Sequence, residues 1–205
     1  MSLQGGGRRP LWRADPARML RILAESQFDD PFLAFRELYA NALDAVRGRK
    51  DSRIVLRVSA DRVVVEDDGP GLDDVALAAL TTLGVSTRRG TDAVGRFGIG
   101  FASVFDPALG VAYVVFRASR PRAEAIALRF TPDVAGGVRI DAEAAPSPPL
   151  GGSRVEVWFD AARAPEDRVA RVEEVFETHA AYTGVPTELE GRRLGRRLTD
   201  YVRDE

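Results

Sequence analysis

A chain of 205 residues, 45% hydrophobic and 29% charged, has the ordinary balance of a soluble globular protein with a real core, sized for one large domain or two small ones. A formal charge of -2 and a pI near 5.6 require neither nucleic acid nor an anionic membrane as partner, so nucleic-acid binding is not expected. The absence of cysteine excludes disulfides, thiolate metal sites and cysteine nucleophiles, and the single histidine, His179, excludes most zinc sites and any Ser-His-Asp triad not built on it.

Residues 1–12 are rich in glycine and arginine, lack the apolar stretch of a secretory signal and read as a disordered leader. No apolar run reaches the ~20 residues needed to cross a bilayer, so no membrane partner is expected and the reading is cytoplasmic. Asp15-Pro16 places an N-cap and a first-turn proline ahead of Met19, Ile22 and Leu23, which predicts a helix. Asp30-Pro31 repeats the signal before a longer helix to about Gly48, where Phe35, Leu38, Ala42 and Ala45 form a buried stripe. Glu37, Asn41 and Asp44 follow the same spacing on a neighbouring face.

Two β-branched runs, Ile54-Val55-Leu56 and Val63-Val64-Val65, read as a hairpin ending in the turn Glu66-Asp67-Asp68-Gly69-Pro70-Gly71. A short helix is predicted over 74–80, a mobile Gly-, Ser-, Thr- and Arg-rich segment over 84–100, and a helix over 99–105. Strands are predicted over 111–118, 125–130 and 154–159, with a proline-rich loop over 144–150. A helix over 166–182 carries Val169, Val172, Val175 and Phe176, and Glu190-Gly191-Arg192 reads as a turn between two short strands. Arg192, Arg193, Arg196 and Arg197 read as a solvated helix face. The sum is one α+β domain, a mixed sheet with helices packed on one face.

Three stretches carry chemistry. Glu37 and Asn41 stand one helical turn apart, so a magnesium ion held by the Asn41 side-chain oxygen would sit near a water held by Glu37 as general base. The same spacing also suits a solvated helix face. Asp67, at a strand end beside Gly69 and Gly71, can accept a hydrogen bond from an adenine amino group; a plain polar turn is the other reading. Gly95, Gly98 and Gly100 precede a helix whose backbone N–H groups would receive a phosphate chain, and a packing turn is the alternative there.

In this order the stretches resemble the N, G1 and G2 boxes of the GHKL superfamily, which unites gyrase, heat-shock-ninety chaperones, histidine kinases and MutL. Gly151-Gly152-Ser153-Arg154-Val155-Glu156-Val157 resembles the family's final Gly-Thr strand, with Ser153 in place of threonine. The sequence VGRFGIGFASVF, which includes Phe101, is most similar to the heat-shock-ninety (HtpG-like) branch. The resemblance implies a Bergerat fold, a two-layer sandwich with a mixed, mostly antiparallel sheet. It places an ATP-binding domain at 13–162, with 163–205 as a helical extension or the start of a following domain.

By the same resemblance Glu37 activates water, Asn41 holds magnesium, Asp67 reads adenine and Asp44 supports the helix face. Gly71 and Leu72 line the base pocket, and Gly98, Ile99, Gly100 and Phe101 contact phosphate and ribose. Gly95 belongs to the same glycine stretch, Ser153 lies near the adenine-side waters, and residues 84–90, with Ser86 and Thr87, occupy the place of the ATP lid. Family members usually borrow a basic residue from a following domain, for which 205 residues leave no room, so ATP binding with slow hydrolysis is expected. That would serve a chaperone-like conformational change, with a client protein and a homodimer through the downstream domain as expected partners. The alternative is a stand-alone nucleotide-sensing module, and a kinase or antisigma-like regulator is a third.

Overall fold

The computed structural model of the chain describes residues 29–81, 99–132, 138–181 and 183–194. The expected leader, the helix expected over 15–23, the residues of 84–98 and Arg196 and Arg197 lie outside the described residues.

The Asp30 carboxylate accepts the Phe32 N–H at 3.0 Å and caps a 3-10 turn, Pro31–Leu33, which runs directly into helix α1, Ala34–Val46. Phe35, Leu38 and Ala42 of its apolar stripe are buried, and Gly48, at φ +75, takes the left-handed conformation just beyond its end. β1, Ile54–Val58, and β2, Arg62–Asp67, form the expected antiparallel hairpin, with Ile54 opposite Asp67. Helix α2, Asp74–Thr81, follows the Asp67 turn. Helix α3, Ile99–Ala102, and two 3-10 turns, Ser103–Phe105 and Pro107–Leu109, lead into β3, Val111–Arg120. Then come β4, Ala123–Pro132, β5, Val138–Ala144, and β6, Ser153–Phe159. Helix α4, Arg168–Ala180, precedes β7, Thr187–Leu189, and β8, Arg192–Leu194.

The eight strands form one sheet in the order β5-β4-β3-β6-β2-β1-β7-β8, antiparallel throughout except where β7 runs parallel to β1. Alternation along β2 sorts its side chains cleanly. Val63 and Val65 enter the core beneath α1 and α4, while Arg62, Val64 and Glu66 face the other way. Phe176 of α4 meets Phe35 and Tyr39 of α1 edge-on, each with ring centroids 6.4 Å apart. The Tyr39 hydroxyl shares hydrogen bonds with Thr187 (2.9 Å) and Thr183 (3.0 Å), which ties α1 to β7. Each fully buried aromatic in this layer contributes about 1.5–3 kcal/mol.

The opposite face is closed by its own side chains. Arg62 lies over Trp158 (4.6 Å), Trp158 stacks on Tyr113 (5.6 Å between centroids), and Arg129 lies over Tyr113 (3.8 Å). The stack crosses β2, β6, β3 and β4, and each of its contacts adds about 0.5–1.5 kcal/mol. Beside it Glu66, 1% exposed, binds Arg154 (2.7 Å) and the Leu150 N–H (2.8 Å), and Arg154 also binds Glu156 (2.8 Å).

Two features depart from the sequence expectations. β5 is a strand where none was expected, because its alternating Arg139, Asp141 and Glu143 are the solvated row of an edge strand whose inward row is short. Arg192 and Arg193 stand on β8 and not on a helix, since β8 pairs with β7 across the Glu190-Gly191 turn.

Candidate functional site

The site is organised around the carboxylate that ends β2. Asp67 is 5% exposed, and its Oδ1 accepts the N–H groups of Gly69 (2.8 Å) and Ser153 (3.3 Å). Burial pushes its pKa up to about 6; the two amide bonds pull it back, and the neighbouring charges of Asp68 and Glu66 add to the rise. No cation pairs with it among the described residues, so Oδ2 remains available to a donor from outside the fold.

Glycines let the backbone close around this group. A Cβ at Gly152 would come within 2.6 Å of Asp67 Oδ1, and one at Gly69 within 2.7 Å of the same atom. Gly71, at φ +72, abuts the Ser119 carbonyl, which accepts the Leu72 N–H at 2.9 Å. The Ser119 N–H in turn donates to the Gly152 carbonyl at 3.0 Å. The β2 end, the β3 end and the start of β6 are thereby interlaced within a few ångströms, which places Gly71, Leu72 and Ser153 around Asp67. It is the backbone amide of Ser153 that reaches the carboxylate, while its side chain is buried.

Helix α1 supplies the other wall. A Cβ on Gly69 would lie 3.0 Å from the Ala45 Cβ, so the last turns of α1 press on the Asp67 turn. Asn41 is one turn upstream of Ala45 and Glu37 one turn further, which puts both on the helix face that meets this turn. Asp44 pairs with Arg47 at 2.9 Å near the helix end. Glu37 is held by its sequence neighbour: its Oε1 accepts from Arg36 Nη2 (2.7 Å) and Nε (3.1 Å), with the Glu37 side chain 12% exposed.

Ile99 and Gly100 open α3. The Phe101 ring packs on Phe130 (5.1 Å) and Phe105 (6.1 Å), so it anchors α3 to β4. Ser86, Thr87, Gly95 and Gly98 lie outside the described residues. His179 directs Nδ1 to the Val175 carbonyl of its own helix at 2.8 Å, a structural role.

Among the described residues, no three His, Cys, Asp or Glu side chains gather to hold a metal. Sequence reasoning passed over two contributors, the approach of Gly152 and the Arg36–Glu37 pair, and placed a third, Gly69, only in the turn beside Asp67. Gly152 was visible as part of a Gly-Gly pair before a strand, but its approach to Asp67 is a tertiary contact. Gly69 reads as a turn glycine that lets the chain come close to a base, and its contact with Ala45 of α1 is the part that the sequence does not carry. The Arg36–Glu37 pair depends on side-chain rotamers that carry no sequence signal.

Comparison with known proteins agrees with this arrangement. Residues 28–163, more than half of the chain, match the family model described as histidine kinase-, DNA gyrase B-, and HSP90-like ATPase. The chaperone protein HtpG of Rhizobium etli is 28% identical over 71% of this chain and 27% of its own length. The mitochondrial heat shock protein 75 kDa of Bos taurus is 27% identical over 94% of this chain and 30% of its length. The DNA mismatch repair protein MutL of Acidiphilium cryptum is 30% identical over 63% of this chain and 22% of its length. The matches thus span less than a third of each of these relatives. No described helix is long and apolar enough to cross a membrane. With an α+β sheet of this order and a family match across the whole β2 turn and α1, the chain belongs to the histidine kinase-, DNA gyrase B- and HSP90-like (GHKL) ATPase family, with HtpG-type chaperones among its relatives.

Proposed function

We propose that this domain binds Mg-ATP between α1 and the Asp67 turn and hydrolyses it slowly, in the manner of a heat-shock-ninety-like ATPase. The observation that carries the reading is the state of Asp67: a buried carboxylate held on one oxygen by two backbone amides, with no cation beside it among the described residues. A buried carboxylate is costly unless its oxygens find donors, and an adenine amino group is a donor that would complete its second oxygen. Asn41 would hold the magnesium ion, which neutralises charge on the phosphate oxygens. Glu37 would orient the attacking water, while Gly71 and Leu72 would flank the base. The chaperone-like use of the cycle, a client protein, a homodimer through a downstream domain and a cytoplasmic location all belong to this proposal.

Calorimetric titration with ATP, with and without magnesium, tests it. Glu37→Ala is expected to leave affinity within about threefold while hydrolysis falls by ~10²–10⁴. If hydrolysis survives that change, Glu37 is not the water-orienting group. One observation favours a second reading, a nucleotide-sensing module without useful turnover: Arg36 occupies an oxygen of Glu37 at 2.7 Å. Arg36→Ala separates the two, since release of Glu37 raises turnover in an ATPase and leaves a pure sensor silent.

A further inference from the structure

We infer that β5 is a self-association edge, on which a second copy of this chain adds its own β5 antiparallel in a register centred on Ile140. Among the described residues β5 is the terminal strand of the sheet and pairs with β4 alone. Its seven residues keep an unbroken register with β4, from Ile126 opposite Ala144 to Pro132 opposite Val138. The phase of its backbone is set by the Ala145 N–H, which donates to the Ala125 carbonyl of β4 at 2.9 Å. Alternation from that bond turns the N–H and C=O groups of Arg139, Asp141 and Glu143 toward β4. Those of Val138, Ile140 and Ala142 point off the edge.

Charge then selects among the registers. With Ile140 opposite Ile140 of the second copy, Arg139 of each chain faces Asp141 of the other. Ile140, Val138 and Ala142 make the backbone bonds. Arg139 and Asp141 fall in the non-hydrogen-bonded positions, where side chains approach most closely. A shift to Asp141 at the centre opposes two aspartates, one to Ala142 opposes Asp141 with Glu143, and one to Arg139 opposes two arginines. The Ile140 register alone pairs opposite charges without a like-charge contact. It also lays Val138 against Ala142 and Ile140 against Ile140 on the sheet face that carries the helices, where Val138 and Ile140 pack at the margin of the core. Arg139 and Asp141 now satisfy each other within one strand (3.0 Å), with side chains 69% and 55% exposed, so exchange to the second copy breaks no buried contact. A strand edge covers little area, so the dimer is weak and concentration-dependent.

Sedimentation velocity on the full chain at low ionic strength, over a rising concentration series, tests the pairing. The wild-type chain is expected to dimerise. Arg139→Asp and Asp141→Arg, each opposing like charges twice, are expected to weaken the dimer by about tenfold or more. An equimolar mixture of the two variants restores association, because every opposed pair is again of opposite sign. The double variant Arg139→Asp/Asp141→Arg restores it in one chain. Hydrogen exchange adds a backbone readout, with Ile140 and Ala142 amides gaining protection as concentration rises. A chain that stays monomeric, variants that dimerise like wild type, or a mixture that does not recover would each overturn the inference.

Discussion

Glu66 and Asp67 are consecutive residues on one strand, both carboxylates and both buried, yet they answer to different chemistry. Glu66, on the outer face, is 1% exposed and fully engaged: Arg154 binds one oxygen and the Leu150 N–H the other. Asp67, on the helix face, is 5% exposed and among the described residues has only backbone amides, both on one oxygen. A carboxylate that serves the fold is given a cation. In the proposed function the two amides hold Asp67 in place and its other oxygen is the one that meets the nucleotide. The contrast arises from the two-residue period of β2, which sends neighbours to opposite faces, and from β6, whose Arg154 and Ser153 meet them in the same alternation.

Substituting each carboxylate by its amide should break this comparison most sharply. Asp67→Asn is expected to reduce ATP affinity by ~100-fold or more while leaving thermal stability at pH 7 unchanged or raised, because it removes a buried charge along with the acceptor. Glu66→Gln is expected to do the reverse, costing about 2 kcal/mol of stability through the weakened hold on Arg154, with ATP affinity unchanged. Parallel calorimetry and denaturant unfolding separate the two, and equal losses of stability would mean that both carboxylates are structural. Gly152→Ala places a methyl group against Asp67 Oδ1 and should cost about 1–3 kcal/mol in unfolding while also weakening nucleotide binding.

The pH dependence sharpens the same contrast with a smaller effect. The Asp67 pKa is raised to about 6 from an ordinary value of 3.8. Its contribution to the stability of the nucleotide-free domain is therefore fully present below pH 3.8 and lost as pH rises through about 6. Nucleotide affinity should move the other way, falling as pH drops below about 6 and the acceptor is protonated. Thermal unfolding and titration at pH 5 and pH 7, with Asp67→Asn as the insensitive control, read both trends.

Much of this was legible in the sequence because it rests on short-range patterns. The α1 stripe follows a helical period, the β1–β2 hairpin a β-branched alternation, and the Asp67-Asp68-Gly69-Pro70-Gly71 turn the ordinary turn chemistry. Those same patterns carry the family, and they placed Glu37, Asn41 and Asp67 on elements that the fold brings side by side. What escaped depends on partners distant in the chain. No pattern in the sequence marks β5 as a strand before β4 pairs with it, whereas β7 and β8 are the two short strands expected around the Glu190-Gly191-Arg192 turn and replace the helical reading of Arg192 and Arg193. Gly152 acquires its role only where β6 crosses the end of β2. The contact of the Phe101 ring with Phe130 of β4 likewise joins elements far apart in the chain.

The central claim is that the Asp67 carboxylate recognises the amino group of adenine. Titration of the wild-type domain with ATP and with inosine triphosphate, which carries a carbonyl where ATP has that amino group, tests it directly. Binding at least ~100-fold tighter for ATP, with the preference abolished in Asp67→Asn, is the expected result. Equal affinity of the wild-type domain for the two nucleotides would contradict the assignment.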